Sequence, residues 1–91
     1  MATERELLRL AQETATIIVT TARVAVEGRD GRWQEVQLAD ITDVVVGAAG
    51  AGYVVRVQHW HPGPAPVVEL DDEGEARRLA QAIVAAARAA P

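Results

Sequence analysis

The chain has 91 residues, nine of them arginine and none lysine, against 13 acidic side chains, which gives a net charge of −4. This length suffices for one small domain that buries about 60–65% of the surface of its unfolded chain, and the acidic balance argues against sequence-independent binding to nucleic acid or anionic lipid. Because cysteine is absent, disulfides, thiolate metal sites and thiol nucleophiles are excluded.

The amino-terminal segment, residues 1–13, is predicted to form a short helix. Thr3 and Glu6 have the spacing of a capping box, in which a hydroxyl and a carboxylate bond to amides of the first turn. Apolar residues at positions 7, 8, 11 and 15 form a stripe along a helix over about residues 4–13, and such a stripe should lie against another surface. Charged residues interrupt the apolar run that a signal peptide needs, so we expect a soluble, cytoplasmic protein.

Residues 14–70 are predicted to form six antiparallel strands, because β-branched residues recur there with a period of two. The strands are ATIIVTT, RVAVEG, RWQEVQL, TDVVVG, YVVRVQHW and VVEL. The Asp30-Gly31 pair predicts a tight hairpin between the second and third strands. The segment LADI is predicted to be a brief turn, and the proline-rich PGPAP tract ends the fifth strand because proline cannot donate to a ladder.

The carboxy-terminal segment, residues 71–90, is predicted to form a second helix. Asp71 and Asp72 lie at its start, where the helix dipole favours negative charge. Leu79 and Ile83 share one face with several alanines, and we expect this face to cover the apolar side of the strands.

This order of elements resembles the bacterial pleckstrin-homology-like (PH-like) domains. The resemblance extends over about three quarters of the chain, and it is carried by Ile18 to Val26, Leu38 to Val46, Tyr53 to Val57 and Asp71 to Ile83. It implies an α+β, mainly β fold, in which six or seven antiparallel strands form a partly open barrel capped by the carboxy-terminal helix. The predicted first helix departs from this pattern, since a further strand would be expected there. The alternative architecture is an open antiparallel sheet with both helices on one side.

Two histidines near the end of the fifth strand raise the question of a metal site. His59 and His61 are two residues apart and so lie on one face of a strand, with Glu69 as a possible third ligand. Two ligands do not make a site, and we favour the simpler interpretation that these residues finish a strand and open a turn. No metal and no cofactor is predicted. The PGPAP tract could also be a recognition epitope, although its polyproline character is weak.

Arginines near the first hairpin suggest a ligand-binding alternative. The resemblance implies that Arg23, Arg29 and Arg32 would lie where PH domains often hold phosphoinositides. Acidic residues interleave with them, and exposed ion pairs of this kind contribute little.

The residues favour an interaction domain over an enzyme. Serine is absent along with cysteine, and the histidines lack an evident set of catalytic partners. We therefore expect a non-enzymatic adaptor that binds a protein partner or itself as a homo-oligomer, with no role for nucleic acid or a membrane surface. The predicted contact residues are Trp33, Trp60, Leu7 and Leu10. The alternative function is a small-ligand or lipid-headgroup-binding barrel.

Overall fold

A computed structural model of the chain describes residues 3–90, which form a small α+β domain of two antiparallel sheets and one carboxy-terminal helix. The first sheet has the order β1-β2-β3-β4, with strands Glu6–Ala11, Ala15–Thr20, Arg23–Gly28 and Trp33–Gln37. A short 3-10 turn, Leu38–Asp40, leads to the second sheet, whose order is β5-β6-β7 with strands Ile41–Ala49, Gly52–His59 and Val67–Leu70. The helix, α1, spans Glu73–Ala89. Within the described residues the two sheets do not close into one barrel.

The prediction of an amino-terminal helix over residues 4–13 is wrong, because Glu6–Ala11 forms strand β1. In its antiparallel pairing with β2, Leu8 lies opposite Val19 and Leu10 opposite Ile17. Both leucines pack against the core, whereas Leu7 is 47% exposed. A helix this short has little stability of its own, while a strand adds to the sheet and partly buries both leucines.

A side-chain hydroxyl stabilises the β2–β3 turn, and a glycine permits the β3–β4 turn. At the β2–β3 turn, the buried Thr20 hydroxyl accepts hydrogen bonds from the amides of Ala22 and Arg23, each at 3.0 Å. The predicted hairpin between β3 and β4 is confirmed: the Gly28 amide donates to the Arg32 carbonyl at 2.7 Å. Gly31 has a φ of +87° there, a conformation that glycine adopts without strain.

The core lies between the two sheets and beneath α1. Its fully buried side chains come from all three parts of the fold, and the largest are Ile17, Val19, Val24, Val55, Val57, Val68, Leu79 and Ile83. The predicted role of Leu79 and Ile83 is confirmed, since each is 1% exposed. Burial of one such side chain stabilises the fold by about 1.5–3 kcal/mol.

Helix α1 begins as the acidic sequence predicts. The Asp72 carboxylate is the N-cap and accepts a hydrogen bond from the Glu75 amide, which satisfies one of the unpaired donors of the first turn. Among residues 3–90, no helix is long and apolar enough to cross a membrane.

Candidate functional site

Three side chains meet where β6 ends beside the 3-10 turn, and we call Asp40, Trp60 and His61 the Asp40 corner. One oxygen of the Asp40 carboxylate accepts a hydrogen bond from Trp60 Nε1 at 2.9 Å, and the other lies 2.7 Å from His61 Nε2. The Trp60 amide also donates to the Asp40 carbonyl at 3.3 Å. A single residue thus fixes both aromatic side chains that follow β6.

Trp60 is held in place and exposed at the same time. Its indole stacks on the His61 ring with centroids 3.9 Å apart and an interplanar angle of 28°, yet the residue is 64% exposed. A large apolar group fixed in one orientation on a surface loses little entropy when a partner covers it. The Asp40 corner therefore presents a large apolar group in a fixed orientation, a combination that is common among contact sites of proteins.

The Asp40 carboxyl is ionised at neutral pH. The hydrogen bond with His61 and, to a lesser extent, that from Trp60 hold the pKa of the Asp40 carboxyl below its ordinary value, because both interactions stabilise the ionised form. The carboxylate is only partly exposed, so it acts mainly to position the two rings.

The structure does not assemble the metal ligands that the sequence suggested. His59 Nε2 lies 3.3 Å from the Pro64 carbonyl, and its ring centroid is 5.9 Å from that of His61. Glu69 pairs with Val54, five residues and about 16 Å along β6 from His59. Across residues 3–90, no group of three or more histidine, cysteine, aspartate or glutamate residues is placed to hold a metal ion.

The edges of the two sheets leave a gap beside the Asp40 corner. Within residues 3–90, β4 pairs with β3 alone and β7 with β6 alone, so each has one unpaired edge. We call the gap between β4 and residues 62–70, which include β7, the β4–β7 seam. Two clefts of about 420 and 500 Å³ lie along it, and both are lined by Gln34. Asp40 and His61 line the first cleft, and Trp33, Val67 and Glu69 line the second.

The hydrogen bonds of β4 show which of its backbone groups face the seam. Residues of an antiparallel strand direct their N–H and C=O alternately toward and away from the partner strand. The Leu38 amide donates to the Ala22 carbonyl, and the Arg32 carbonyl accepts from the Gly28 amide. The even-numbered residues of β4 therefore direct their N–H and C=O groups toward β3. Those with N–H and C=O directed to the free edge are Trp33, Glu35 and Gln37.

The three arginines of the ligand-binding alternative are not brought together. Arg23 lies at the start of β3 and binds two carboxylates, Glu4 at 2.8 Å and Glu35 at 2.9 Å. Arg29 and Arg32 lie beyond the other end of this six-residue strand, about 16 Å away, and Arg32 pairs with Asp30 at 3.3 Å. The structure therefore provides two separate groups of ion pairs.

The four predicted contact residues have different surroundings. Trp33, on the edge strand β4, is 52% exposed, and Leu7 is exposed as well. Leu10 faces the core and so presents little surface to a partner. Trp33 lies in the first sheet, whereas Trp60 follows the last residue of β6 in the second sheet.

Sequence reasoning missed Asp40, which it assigned only to a turn. A signal was present in the AAGAG connection, because a turn centred between Gly50, which has a φ of +58°, and Ala51 makes Asp40 and His61 equally distant from the turn. In a hairpin, residues equally distant from the turn lie opposite each other, and the observed pairing of Ile41 with His59 brings Asp40 beside Trp60.

Comparisons of the chain with protein-family models, curated proteins and solved structures gave no match. A proposal for its function therefore depends on the geometry of the Asp40 corner and the surfaces around it.

Proposed function

We propose that the chain is a non-enzymatic interaction domain of PH-like form that binds a protein partner, or a second copy of itself, at the Asp40 corner. The PH-like form is supported by the arrangement of a four-stranded and a three-stranded antiparallel sheet around one core. The packing of the carboxy-terminal helix against strands of both sheets, with Leu79 and Ile83 buried, supports the PH-like form as well.

The observation that carries the proposed function is the exposure of Trp60 together with its fixed orientation. A tryptophan that only filled the fold would be buried, whereas Trp60 is hydrogen-bonded to Asp40, stacked on His61 and open to solvent. Tryptophan is enriched among the residues that dominate protein interfaces, and truncating such an anchor costs about 2 kcal/mol or more of binding free energy.

Site-specific crosslinking in the native cell tests this function. A photoreactive phenylalanine derivative replaces Trp60 in one variant and the exposed helical residue Gln81 in a control variant. We expect an adduct from position 60 and none from position 81, and an adduct of twice the chain's mass would identify self-association. Equal yields at the two positions would remove the support for a partner at the Asp40 corner.

The ligand-binding alternative has weaker support. A phosphorylated headgroup would have to displace Glu4 and Glu35 from Arg23, and the other two arginines lie too far away to share it. We expect inositol phosphates at millimolar concentration to leave the melting temperature unchanged in a thermal-shift assay, since only a ligand that prefers the folded state raises it. A concentration-dependent rise that is lost in Arg23→Gln would favour the alternative instead.

A further inference from the structure

We propose that the β4–β7 seam accepts an extended, cationic peptide segment, which adds as a strand to the free edge of β4. This inference rests on the proposed function and specifies its partner as a basic strand. An unpaired strand edge presents a row of donors and acceptors that another chain can bond. Here the row consists of the N–H and C=O groups of Trp33, Glu35 and Gln37, which the alternation of β4 directs into the seam.

The opposite wall of the seam has the same character. The Pro66 carbonyl accepts from the Val57 amide at 3.0 Å, so Pro66 and Val68 face β6, and Val67 and Glu69 direct their backbone groups away from it. Val67 is 41% exposed. The seam is therefore bordered by two edges with unused hydrogen-bonding groups, of which β4 offers the longer row.

The inner face of β4 shows where the fold is open. Val36 and Leu38 point into the core and are buried, but Gln34, which has the same facing, is exposed. Gln34 lines both clefts. Its amide can hydrogen-bond a peptide at the position where the interior is open to solvent.

The charged residues that line the clefts indicate which kind of peptide the seam would bind. Besides His59, His61 and one arginine, Arg32, the described residues that line the two clefts include four carboxylates. They are Asp30, Glu35, Asp40 and Glu69. Arg32 is already paired with Asp30, and the Arg23 that binds Glu35 is shared with Glu4. A basic peptide complements this surface, whereas pairing of β4 with β4 of a second copy would place two Glu35 carboxylates near each other, which is unfavourable.

Gln37 permits a substitution that removes one edge donor without disturbing the sheet. Its φ of −67° and ψ of 139° match the values that proline requires, and its N–H is one of those directed away from β3. Gln37→Pro should therefore fold with unchanged or higher stability, because proline at a compatible position restricts the unfolded chain. Gln37→Ala is the matched control, since it keeps the N–H and loses only the side chain.

The experiment measures the binding of defined peptides by titration calorimetry and by amide NMR. The probe is an alternating arginine–valine hexapeptide, and its controls are the glutamate–valine peptide and an arginine–valine peptide with alternate amides methylated. We expect the probe to bind wild type and Gln37→Ala alike and to bind Gln37→Pro about two- to tenfold more weakly, which is the effect of losing one hydrogen bond. The control peptides should bind at least tenfold more weakly than the probe. The amides of Trp33, Glu35 and Gln37 should become protected from hydrogen exchange when the probe binds.

Three results would overturn the proposal: no saturable binding of the probe below about 1 mM, equal binding by Gln37→Pro and wild type, or protection confined to another strand. The Trp60→Ala variant separates this inference from the proposed function, because Trp60 does not line the clefts. An adduct at position 60 without peptide binding overturns only the strand addition. Peptide binding without that adduct overturns only the role of the Asp40 corner.

Discussion

Asp40 shows how one carboxylate can fix the orientation of two aromatic side chains. Its two oxygens hold different rings, so neither interaction competes with the other. The residue is placed by the 3-10 turn, whose Leu38 is anchored in the core. Because Leu38 is anchored in the core, the turn holds Asp40 in place, and Asp40 in turn fixes the orientation of the exposed Trp60 indole.

The Asp40 corner should respond to acid in a defined direction. Because the folded pKa of Asp40 lies below its ordinary value, its contribution to stability is complete above about pH 4 and is lost as pH falls through the folded pKa. We expect Asp40→Asn to melt at a lower temperature than wild type at pH 7, and the difference to shrink below pH 4. Melting curves from circular dichroism across this range measure it.

The same series contains its own control. Glu4, whose pKa is lowered by its hydrogen bonds with Thr20 and Arg23, titrates in the same range, but it is present in both proteins and cancels in their difference. A difference in melting temperature that stays constant from pH 7 to pH 2 would contradict the assignment of the charge to Asp40.

At the scale of elements, sequence periodicity predicted the strands that have one buried face. Ile17 and Val19 in β2, and Val55 and Val57 in β6, are two residues apart and buried, which is the pattern that the period of two requires. Strand β1 could not be assigned in this way, since its leucines fit a helical stripe as well as a strand. Its pairing with β2 decided the outcome, and pairing depends on the rest of the fold.

The contact between Asp40 and His61 could not be predicted from local sequence patterns either. The two residues are 21 positions apart, and no local preference of either one indicates the other. Only the register of the β5–β6 hairpin brings them together. Local sequence patterns therefore predicted the exposed tryptophans of the candidate site, whereas the carboxylate that fixes one of them follows only from the register of the hairpin.

A pair of leucine substitutions distinguishes strand β1 from a helix. In the strand, Leu10 faces the core and Leu7 faces solvent, whereas the helical stripe would bury position 7. We expect Leu10→Ala to lower the free energy of unfolding by about 2 kcal/mol and Leu7→Ala by less than about 0.5 kcal/mol. Urea denaturation followed by circular dichroism gives both values. If Leu7→Ala lowered the free energy of unfolding more than Leu10→Ala, the result would support a helix over residues 4–13 instead of strand β1.

At the scale of the whole molecule, the two sheets and the helix depend on one shared core. The radius of gyration of 12.4 Å is close to the value of about 12 Å expected for a compact chain of this length. Val24 belongs to the first sheet, Val57 to the second and Ile83 to the helix, and all three are in the same buried cluster. Separating any one part would expose apolar surface on the other two.

This shared core predicts that the molecule unfolds in one step, although no strand pairing within residues 3–90 joins the two sheets. Trp33 lies in the first sheet and Trp60 follows the last residue of β6 in the second, so Trp60→Phe and Trp33→Phe leave one fluorescent probe in each sheet. In urea, each variant's fluorescence midpoint should coincide with its own midpoint from circular dichroism, as two-state unfolding requires. Comparing the two signals within one variant removes the effect of the substitution on stability. If the sheets instead unfolded independently, fluorescence would precede circular dichroism in one variant and follow it in the other, and the clustered core side chains would not couple the sheets.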